Sequence, residues 1–528
     1  MDELNRKLPI GIQSFSGIIE DNYLYVDKTA FIYKLVQSGK TYFLSRPRRF
    51  GKSLFLSTLK EYWEGHKNLF KGLEIEELEA DNKDSWQAHP VFYFDFNGTN
   101  YQNVSALEEI LESHLRTWED LYGNEERESS VGLRFQYVLK QAHQKTGKRC
   151  VVLVDEYDKS LLETVEKPEL HEHNRAVFKS FFSVLKSCDS FIRFVFITGV
   201  TKFSKVSIFS DLNQLEDISF DNEYAVICGI TENEIRENLL SEVEKMAEER
   251  SLTAETCFQR LKETYDGYHF SPEGVGVYNP YSLLCALKKR RFGSFWYETG
   301  TPTFLVRKLR NDNFDVRQFE KRTVQATESM LSDYRIENSD PVPLLYQTGY
   351  LTITGFIDED LYALGFPNAE VRYAFLENLM SEYVQSCGSG SGKDIFSLKR
   401  YIESGDVESI KNVLIALFAS IPYTSNDAPF EHYFQTVIFI VFTLLGKYTY
   451  CEMHTHTGRI DCIVETKDYV YIFEFKRDRS AEEALRQIEE QQYAKPYAAD
   501  SRQLFKIGVN FSSETRELDN FIAVPSQK

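Results

Sequence analysis

Asp461, Glu474 and Lys476 carry the sharpest chemical signal in the sequence: one acid, a second acid thirteen positions later, and a lysine two residues beyond that. Gly458 to Glu465 and Tyr469 to Lys476 read as two strands joined by a turn at Thr466-Lys-Asp468, hence a hairpin. With a side-chain period of two, Ile472, Glu474 and Lys476 share one face, and Tyr471, Phe473 and Phe475 the other. Buried and unpaired, these charges would cost several kcal/mol, roughly. A divalent cation between Asp461 and Glu474 is a natural partner. In that arrangement the two carboxylates hold Mg2+ with the Phe475 carbonyl as a further oxygen ligand; the ion lowers the pKa of bound water, and the Lys476 ammonium orients it and stabilises charge at phosphorus. The chemistry is phosphodiester hydrolysis. The plainer alternative is a solvated hairpin with an ordinary Glu/Lys pair, and His454 and His456 nearby read as surface residues rather than zinc ligands.

A second group lies near the N-terminus. Gly51-Lys52-Ser53 stands between a strand-like run and a helical stretch with apolar positions at Leu56, Leu59 and Trp63. That is the setting of a phosphate-binding loop: backbone N–H groups at a helix start, here Arg49 through Leu54, wrap the phosphates, Lys52 reaches the β and γ oxygens, and the Ser53 hydroxyl binds Mg2+. In the pattern G-x-x-x-x-G-K-[ST] the first glycine falls on Arg46, and Pro47 stiffens the turn further. The alternative is a basic turn capped by Ser53. About a hundred residues on, the apolar strand Cys150 to Val154 ends in Asp155-Glu156. There one carboxylate can hold Mg2+ and the next can polarise an attacking water. A third run, Phe194 to Thr198, followed by Gly199-Val-Thr201, ends in hydroxyls where a polar sensor would sit.

The elements that must position these groups predict an α/β protein: a P-loop NTPase-type parallel sheet domain, a helical middle module and a C-terminal restriction-endonuclease-like α/β domain. Strands are expected at Thr41–Leu44, Val91–Phe96, Cys150–Val154, Phe194–Thr198 and Ala225–Cys228, with helices between them. Thr231-Glu-Asn-Glu234 has capping-box spacing and opens a helical stretch to about Arg250. The expected division is 1–260 for the first domain, 261–384 for a mainly helical module, 385–394 as a Gly/Ser linker and 395–528 for the last domain. Gly392-Lys393 inside the linker imitates a phosphate loop, but Asp394 stands where a hydroxyl is needed.

Composition bounds the partners. The 528 residues include 80 acids against 61 Lys and Arg, a net charge of −19, which argues weakly against non-specific polyanion binding and requires a local basic surface or bound metal for any nucleic acid. Lys288-Lys-Arg-Arg291 and Arg307-Lys-Leu-Arg310 are the available basic runs. The longest apolar run, Val437 to Leu445, is about half of what a bilayer needs, and the N-terminus lacks a signal pattern, so a cytoplasmic protein without a membrane partner is expected. Its eight cysteines contain no C-x-x-C pair and read as buried or free thiols.

The stretch Arg46-Pro-Arg-Arg-Phe-Gly-Lys-Ser53 resembles the AAA-ATPase-like family of bacterial and archaeal proteins, whose loop has this form, so the missing first glycine is the family's own departure. Tyr25-Val-Asp-Lys28, Asp155-Glu-Tyr-Asp158, Gly199-Val-Thr-Lys-Phe203, Tyr265-Asp-Gly-Tyr268 and Asn279-Pro-Tyr-Ser282 extend the likeness over about residues 6 to 300. The resemblance implies ATP and Mg2+ as cofactors, with Lys52 on phosphates, Ser53 and Asp155 around Mg2+, and Glu156 as water-orienting base. It leaves Arg46, Arg48, Arg49 and Arg193 open as the arginine finger. From about 400 to 511 the chain resembles the PD-(D/E)XK nuclease superfamily, in the branch fused to AAA-ATPase-like domains, although Ile460 stands where that name has proline. The likeness rests on a helix with Glu431-His-Tyr433, on Gly458-Arg459 before Asp461, and on Ala484-Leu-Arg-Gln-Ile488 followed by Tyr493. It implies Glu431 as an extra metal-side acid and Gln487 and Tyr493 as helix residues facing the site. Together these readings predict an ATPase and a Mg2+-dependent nuclease, gated or powered by ATP, acting on nucleic acid, with DNA the preferred expectation. The rival is an ATP-dependent switch that grips nucleic acid or a protein partner without cutting; oligomeric state is left open.

Overall fold

Runs of apolar residues four to eight long, separated by amphipathic stretches, build strands covered by helices on both faces. The computed structural model describes residues 6–124, 130–202, 215–296, 305–306, 308–309, 314–321, 323–332, 340–358, 360–383, 392–419, 430–446, 450–453, 462–515 and 517–526. By contact density the chain forms two units, the first from Met1–Thr301 with Phe319–Val371, the second from Pro302–Gln318 with Arg372–Lys528.

In the first unit β1 (Thr41–Ser45), β2 (Val91–Asp95), β3 (Cys150–Asp155), β4 (Ile192–Gly199) and β5 (Glu216–Asp217) form a parallel sheet in the order β2-β3-β4-β1-β5. Every residue of β1 and β3 is buried, as a strand covered on both faces requires. The register pairs Asp95 with Asp155 and Ser45 with Gly199, so the carboxyl ends of β1 to β4 finish on one edge. One face is closed by the helices Ala106–Tyr122, Val131–Thr146 and Pro168–Ser187, whose Trp118, Phe135 and Phe181 pack on Phe94 with ring centroids 4.8–5.4 Å apart.

One expected strand is not one. Ala225 to Cys228 follows the short 3-10 turn Asn222–Tyr224 as irregular backbone, and the fifth strand is β5. Ala225, Ile227 and Cys228 are buried nonetheless, and the Val226 carbonyl accepts the Lys28 ammonium at 2.9 Å. An apolar run reports burial and does not by itself report pairing. The expected capping box at Thr231 is present, with the Thr231 hydroxyl accepting from Glu234 N and the Glu234 carboxylate from Thr231 N. It opens the helix Glu232–Asn238, and Leu240–Glu249 follows.

The helix Ala254–Tyr265 runs through position 260, and one hydrophobic core joins Leu24, Ile235, Met246, Leu261, Tyr278 and Leu287. The helix and this core belong to the first unit, as position 260 does. Beyond it lie further helices and a small antiparallel sheet, β6 (Val324–Thr327), β7 (Thr352–Asp358) and β8 (Leu361–Gly365), in the order β6-β8-β7.

In the second unit β9 (Tyr450–Met453), β10 (Cys462–Glu465), β11 (Tyr469–Arg477), β12 (Gln503–Phe511) and β13 (Leu518–Pro525) form a sheet in the order β13-β12-β11-β10-β9. β10 and β11 are the expected hairpin, antiparallel with Cys462 opposite Phe473, while β11 and β12 run parallel. Parallel neighbours need a crossover, and the helix Ala481–Glu490 supplies it, packing Ile488 on Ile472 and Leu504. Of the expected linker 385–394, residues 385–391 lie outside the described residues and Gly392 opens the helix Gly392–Ser404. The apolar run Val437–Leu445 lies in the helix Phe430–Gly446. Among the described residues no helix is long and apolar enough to cross a membrane.

Candidate nucleotide and metal sites

The chain leaves β1 at Ser45, crosses the turn Arg46 to Gly51 and enters the helix Lys52–Trp63. Gly51 is the N-cap at φ 97 and ψ 12, a left-handed conformation that suits glycine, and no side chain caps the helix there. Its first-turn N–H groups thus have no side-chain acceptor, which makes the helix start a seat for an anion. Lys52 is buried and donates to the carbonyls of Arg46 at 3.0 Å and Pro47 at 3.1 Å, so its ammonium spans the turn. Ser53 hydrogen-bonds the Asp155 carboxylate, brought alongside by β3.

Asp155 is 2% exposed; Thr198 Oγ1 donates to its Oδ1 at 2.8 Å and the Tyr93 hydroxyl to its Oδ2 at 3.5 Å. Burial pushes the Asp155 carboxyl up, opposed by the hydrogen bond from Ser53, while neighbouring Glu156 raises it and Lys52 lowers it. A hydroxyl and a buried carboxylate whose charge lacks full compensation are a donor set that fits Mg2+. The next residue, Glu156, sits at φ 50, an uncommon conformation for a non-glycine residue, and lines the same cavity as Lys52 and Ser53. That cavity, about 530 Å³, is lined by the loop together with the apolar Ile10, Ile12, Leu24, Ile230, Tyr281 and Leu284. Polar and apolar lining together match a phosphorylated ligand with a flat base.

The loop's departure from glycine has a structural answer. Arg46 is 1% exposed; its guanidinium donates to the carbonyls of Ser45 at 2.9 Å, Ser219 at 2.8 Å and Tyr224 at 3.1 Å, and lies 4.2 Å from the Phe270 ring centroid. Burial lowers its pKa. A side chain so enclosed staples β1 to its neighbours and does not reach the cavity. Arg193 lies over the Trp63 ring at 5.3 Å, which leaves Arg48 and Arg49 as the two arginines of the four that line the cavity. Asp158, 1% exposed, has no role in the sequence reading. Its carboxylate accepts from Val200 N at 3.1 Å and from Thr201 N and Oγ1 at 2.5 Å, which ties the turn after β3 to the end of β4. Burial, the largest influence, pushes this carboxyl up as well. The acidic string Asp-Glu-Tyr-Asp was the available signal, but it does not say which carboxylate turns inward.

In the second unit Glu474 is 1% exposed at the end of β11. Lys476 Nζ donates to Glu474 Oε1 at 2.7 Å and to Gln487 Oε1 at 2.6 Å, and Gln487 Nε2 donates to the Tyr493 hydroxyl at 3.4 Å. The strand, the crossover helix and the turn after it therefore bring together four of the expected residues, Tyr493 lying in that turn, past the end of the helix at Glu490, and not on the helix as expected. The aromatic residues occupy the opposite face, with Tyr471, Phe473 and Phe475 stacked along the strand at centroid distances of 6.3 and 6.0 Å. Asp461, His454 and His456 lie outside the described residues, as does the side chain of Glu431, whose backbone belongs to the helix Phe430–Gly446. Of the basic runs, Lys289 and Arg291 lie over the Phe295 ring at 4.9 and 5.6 Å and Arg290 pairs with Glu249, so this stretch is partly engaged within its own unit. Arg307 and Arg310 lie outside the described residues.

Comparison with known proteins agrees with both geometries. Residues 9–209 match the AAA-ATPase-like family, described as a predicted AAA-ATPase, and residues 429–521 match the PD-(D/E)XK nuclease superfamily. Over 528 residues, 98% of each chain, the sequence is 37% identical to a protein of Azotobacter chroococcum mcd 1 described as an uncharacterized protein in the vnfD 5' region. With that likeness running the full length and the two matched regions in the expected order, the chain belongs to the AAA-ATPase-like family, in the form that carries a C-terminal PD-(D/E)XK nuclease superfamily domain.

Proposed function

We propose that this protein binds and hydrolyses ATP in its first unit and cleaves phosphodiester bonds of nucleic acid, DNA in preference, with Mg2+ in its second, the cleavage being gated by ATP turnover. The observation that carries the reading is the buried Glu474 carboxylate joined through Lys476 to Gln487, a charged network placed at the end of an apolar strand.

For the nuclease, Glu474 and Asp461 would hold the ion, with the Phe475 carbonyl and Glu431 as further oxygen donors. When bound, Mg2+ supplies a water of lowered pKa and neutralises charge on the phosphate. Lys476, fixed by acceptors at 2.7 and 2.6 Å, presents its ammonium at one orientation, where it stabilises charge developing on phosphorus oxygens. Gln487 maintains that orientation and Tyr493 steadies Gln487. For the ATPase, Lys52 would exchange its loop carbonyls for phosphate oxygens, the N–H groups from Arg49 to Leu54 would wrap the phosphates, Ser53 and Asp155 would hold Mg2+, and Glu156 would orient water. Thr198 keeps the Asp155 carboxylate aimed. Gating has a physical motive, since a sequence-tolerant nuclease without restraint damages its own cell. Six buried free cysteines among the described residues suit the reducing cytoplasm, which we propose as its compartment.

Supercoiled plasmid incubated with Mg2+, with and without ATP, tests the proposal. Nicking that requires Mg2+, responds to ATP and disappears in Lys476→Ala supports it; intact plasmid under every condition, with phosphate release still abolished by Lys52→Ala, would leave a switch that binds without cutting.

A further inference from the structure

The loop Arg46–Gly51 has an outer side as well as the side facing the cavity, and residues 268 to 349 hold that outer side. The Trp296 indole N–H donates to the Arg48 carbonyl at 3.0 Å. Trp296 is itself fixed: its backbone N–H donates to Glu370 Oε1 at 2.8 Å and its ring packs on Tyr350 with centroids 5.4 Å apart. The Phe50 ring stands edge-on to Tyr268 and Phe270 at 4.7 and 5.3 Å, and Phe270 also carries the Arg46 guanidinium. Gly349, at φ +88, approaches so closely that a Cβ there would lie 2.8 Å from the Pro47 ring. Arg46, Pro47, Arg48 and Phe50 thus each have their own contact from this segment.

A loop that opens on glycine reaches its shape through backbone freedom. This one opens on Arg46-Pro47 and continues through Arg49 at φ 68, a left-handed non-glycine residue that persists only where its surroundings over-determine it. We propose that Trp296, with Phe270 and Gly349, are positioning residues that preset this loop for phosphate, so that affinity for ATP is set from the segment 268–349 as well as from Lys52 and Ser53. The inference rests on the proposed ATP site. Apparent affinity scales with the fraction of molecules whose loop already has the binding shape, so loosening the clamp weakens binding without touching a phosphate-contacting group.

Trp296→Phe in the full chain keeps an aromatic side chain against Tyr350, though a smaller one, and removes the donor to Arg48. Titrated with N-methylanthraniloyl-ATP and Mg2+, it is expected to bind roughly fivefold to tenfold more weakly than the unaltered protein, the effect of one lost hydrogen bond to a half-buried acceptor. Ser130→Ala is the control: it removes the cap of the distant helix Val131–Thr146, where Ser130 Oγ accepts Leu133 N at 3.2 Å, and should lower Tm while leaving Kd unchanged. Trp296→Phe binding within twofold of the unaltered protein would overturn the inference while leaving the ATP site standing. Absence of binding by the unaltered protein would overturn both. Should Trp296→Phe fail to fold, Phe270→Leu is measured in the same way and decides by the same margins.

Discussion

Replacing Gln487 with leucine isolates what orientation of Lys476 is worth. The Lys476 side chain is 17% exposed and its ammonium has two charge-assisted partners, Glu474 Oε1 at 2.7 Å and Gln487 Oε1 at 2.6 Å. Gln487→Leu removes one of them and preserves the size of the side chain. A hydrogen bond to a charged group contributes about 1.5–3 kcal/mol. If nearly all of that is expressed when charge builds on phosphorus, at about 1.4 kcal/mol per tenfold the cleavage rate falls by roughly ten- to a hundredfold. Gln487→Glu, which keeps an acceptor at the same reach, should recover most of the loss. Tyr493→Phe, which removes a partner only 3.4 Å from Gln487 Nε2, should cost about threefold or less. The assay is the initial rate of plasmid nicking in excess Mg2+, with far-UV circular dichroism to show that the helix Ala481–Glu490 remains. The reasoning is refuted if Gln487→Leu nicks at the unaltered rate while Lys476→Ala is inactive, because Lys476 would then need no second anchor.

Asp155→Asn should raise the Tm of the nucleotide-free protein at neutral pH while abolishing stabilisation by Mg2+ and ATP. Burial lifts the Asp155 carboxyl, so the folded state holds its proton more tightly than the unfolded chain; the resulting stability is present below the ordinary carboxylate range and is lost as pH rises through the folded value. Differential scanning fluorimetry against pH reads this as a slope between acid and neutral pH that is shallower in the variant. Arg46→Gly restores the usual phosphate-loop glycine yet should destabilise the first unit by about 3 kcal/mol or more, since three carbonyl acceptors lose a buried cationic donor; urea unfolding measures it. Thr231→Ala breaks the capping box and should cost about 1 kcal/mol in the same assay, with nicking by the second unit unchanged.

Much of this was legible where local chemistry and periodicity agree. The buried strands before Ser45 and Asp155, the hairpin of β10 and β11, and the capping box at Thr231 each follow from residues adjacent in sequence. The meeting of Glu474, Lys476 and Gln487 was also foreseen, the first two from a side-chain period of two and the third from resemblance. What escaped depends on distant neighbours. Ala225 to Cys228 is apolar enough for a strand but packs as irregular backbone, while β5 takes the place beside β1. Arg46 looks cationic and available in sequence, and only the carbonyls of Ser219 and Tyr224, more than 170 residues away, enclose it. The antiparallel sheet β6-β8-β7 was hidden as well, since Gly355 and the register shifts between Ile353 and Asp358 blur the alternation that marks a strand.

The interleaving of the two units bears on how the chain is made. Residues 319–371 complete the first unit after the chain has already contributed 302–318 to the second. On a ribosome, the Glu370 carboxylate that receives the N–H groups of Phe295 and Trp296 emerges some seventy residues after them. The first unit therefore waits, incompletely closed, until its late-translated segment arrives, and a gene truncated at residue 301 would encode a partly closed fold rather than a complete first unit.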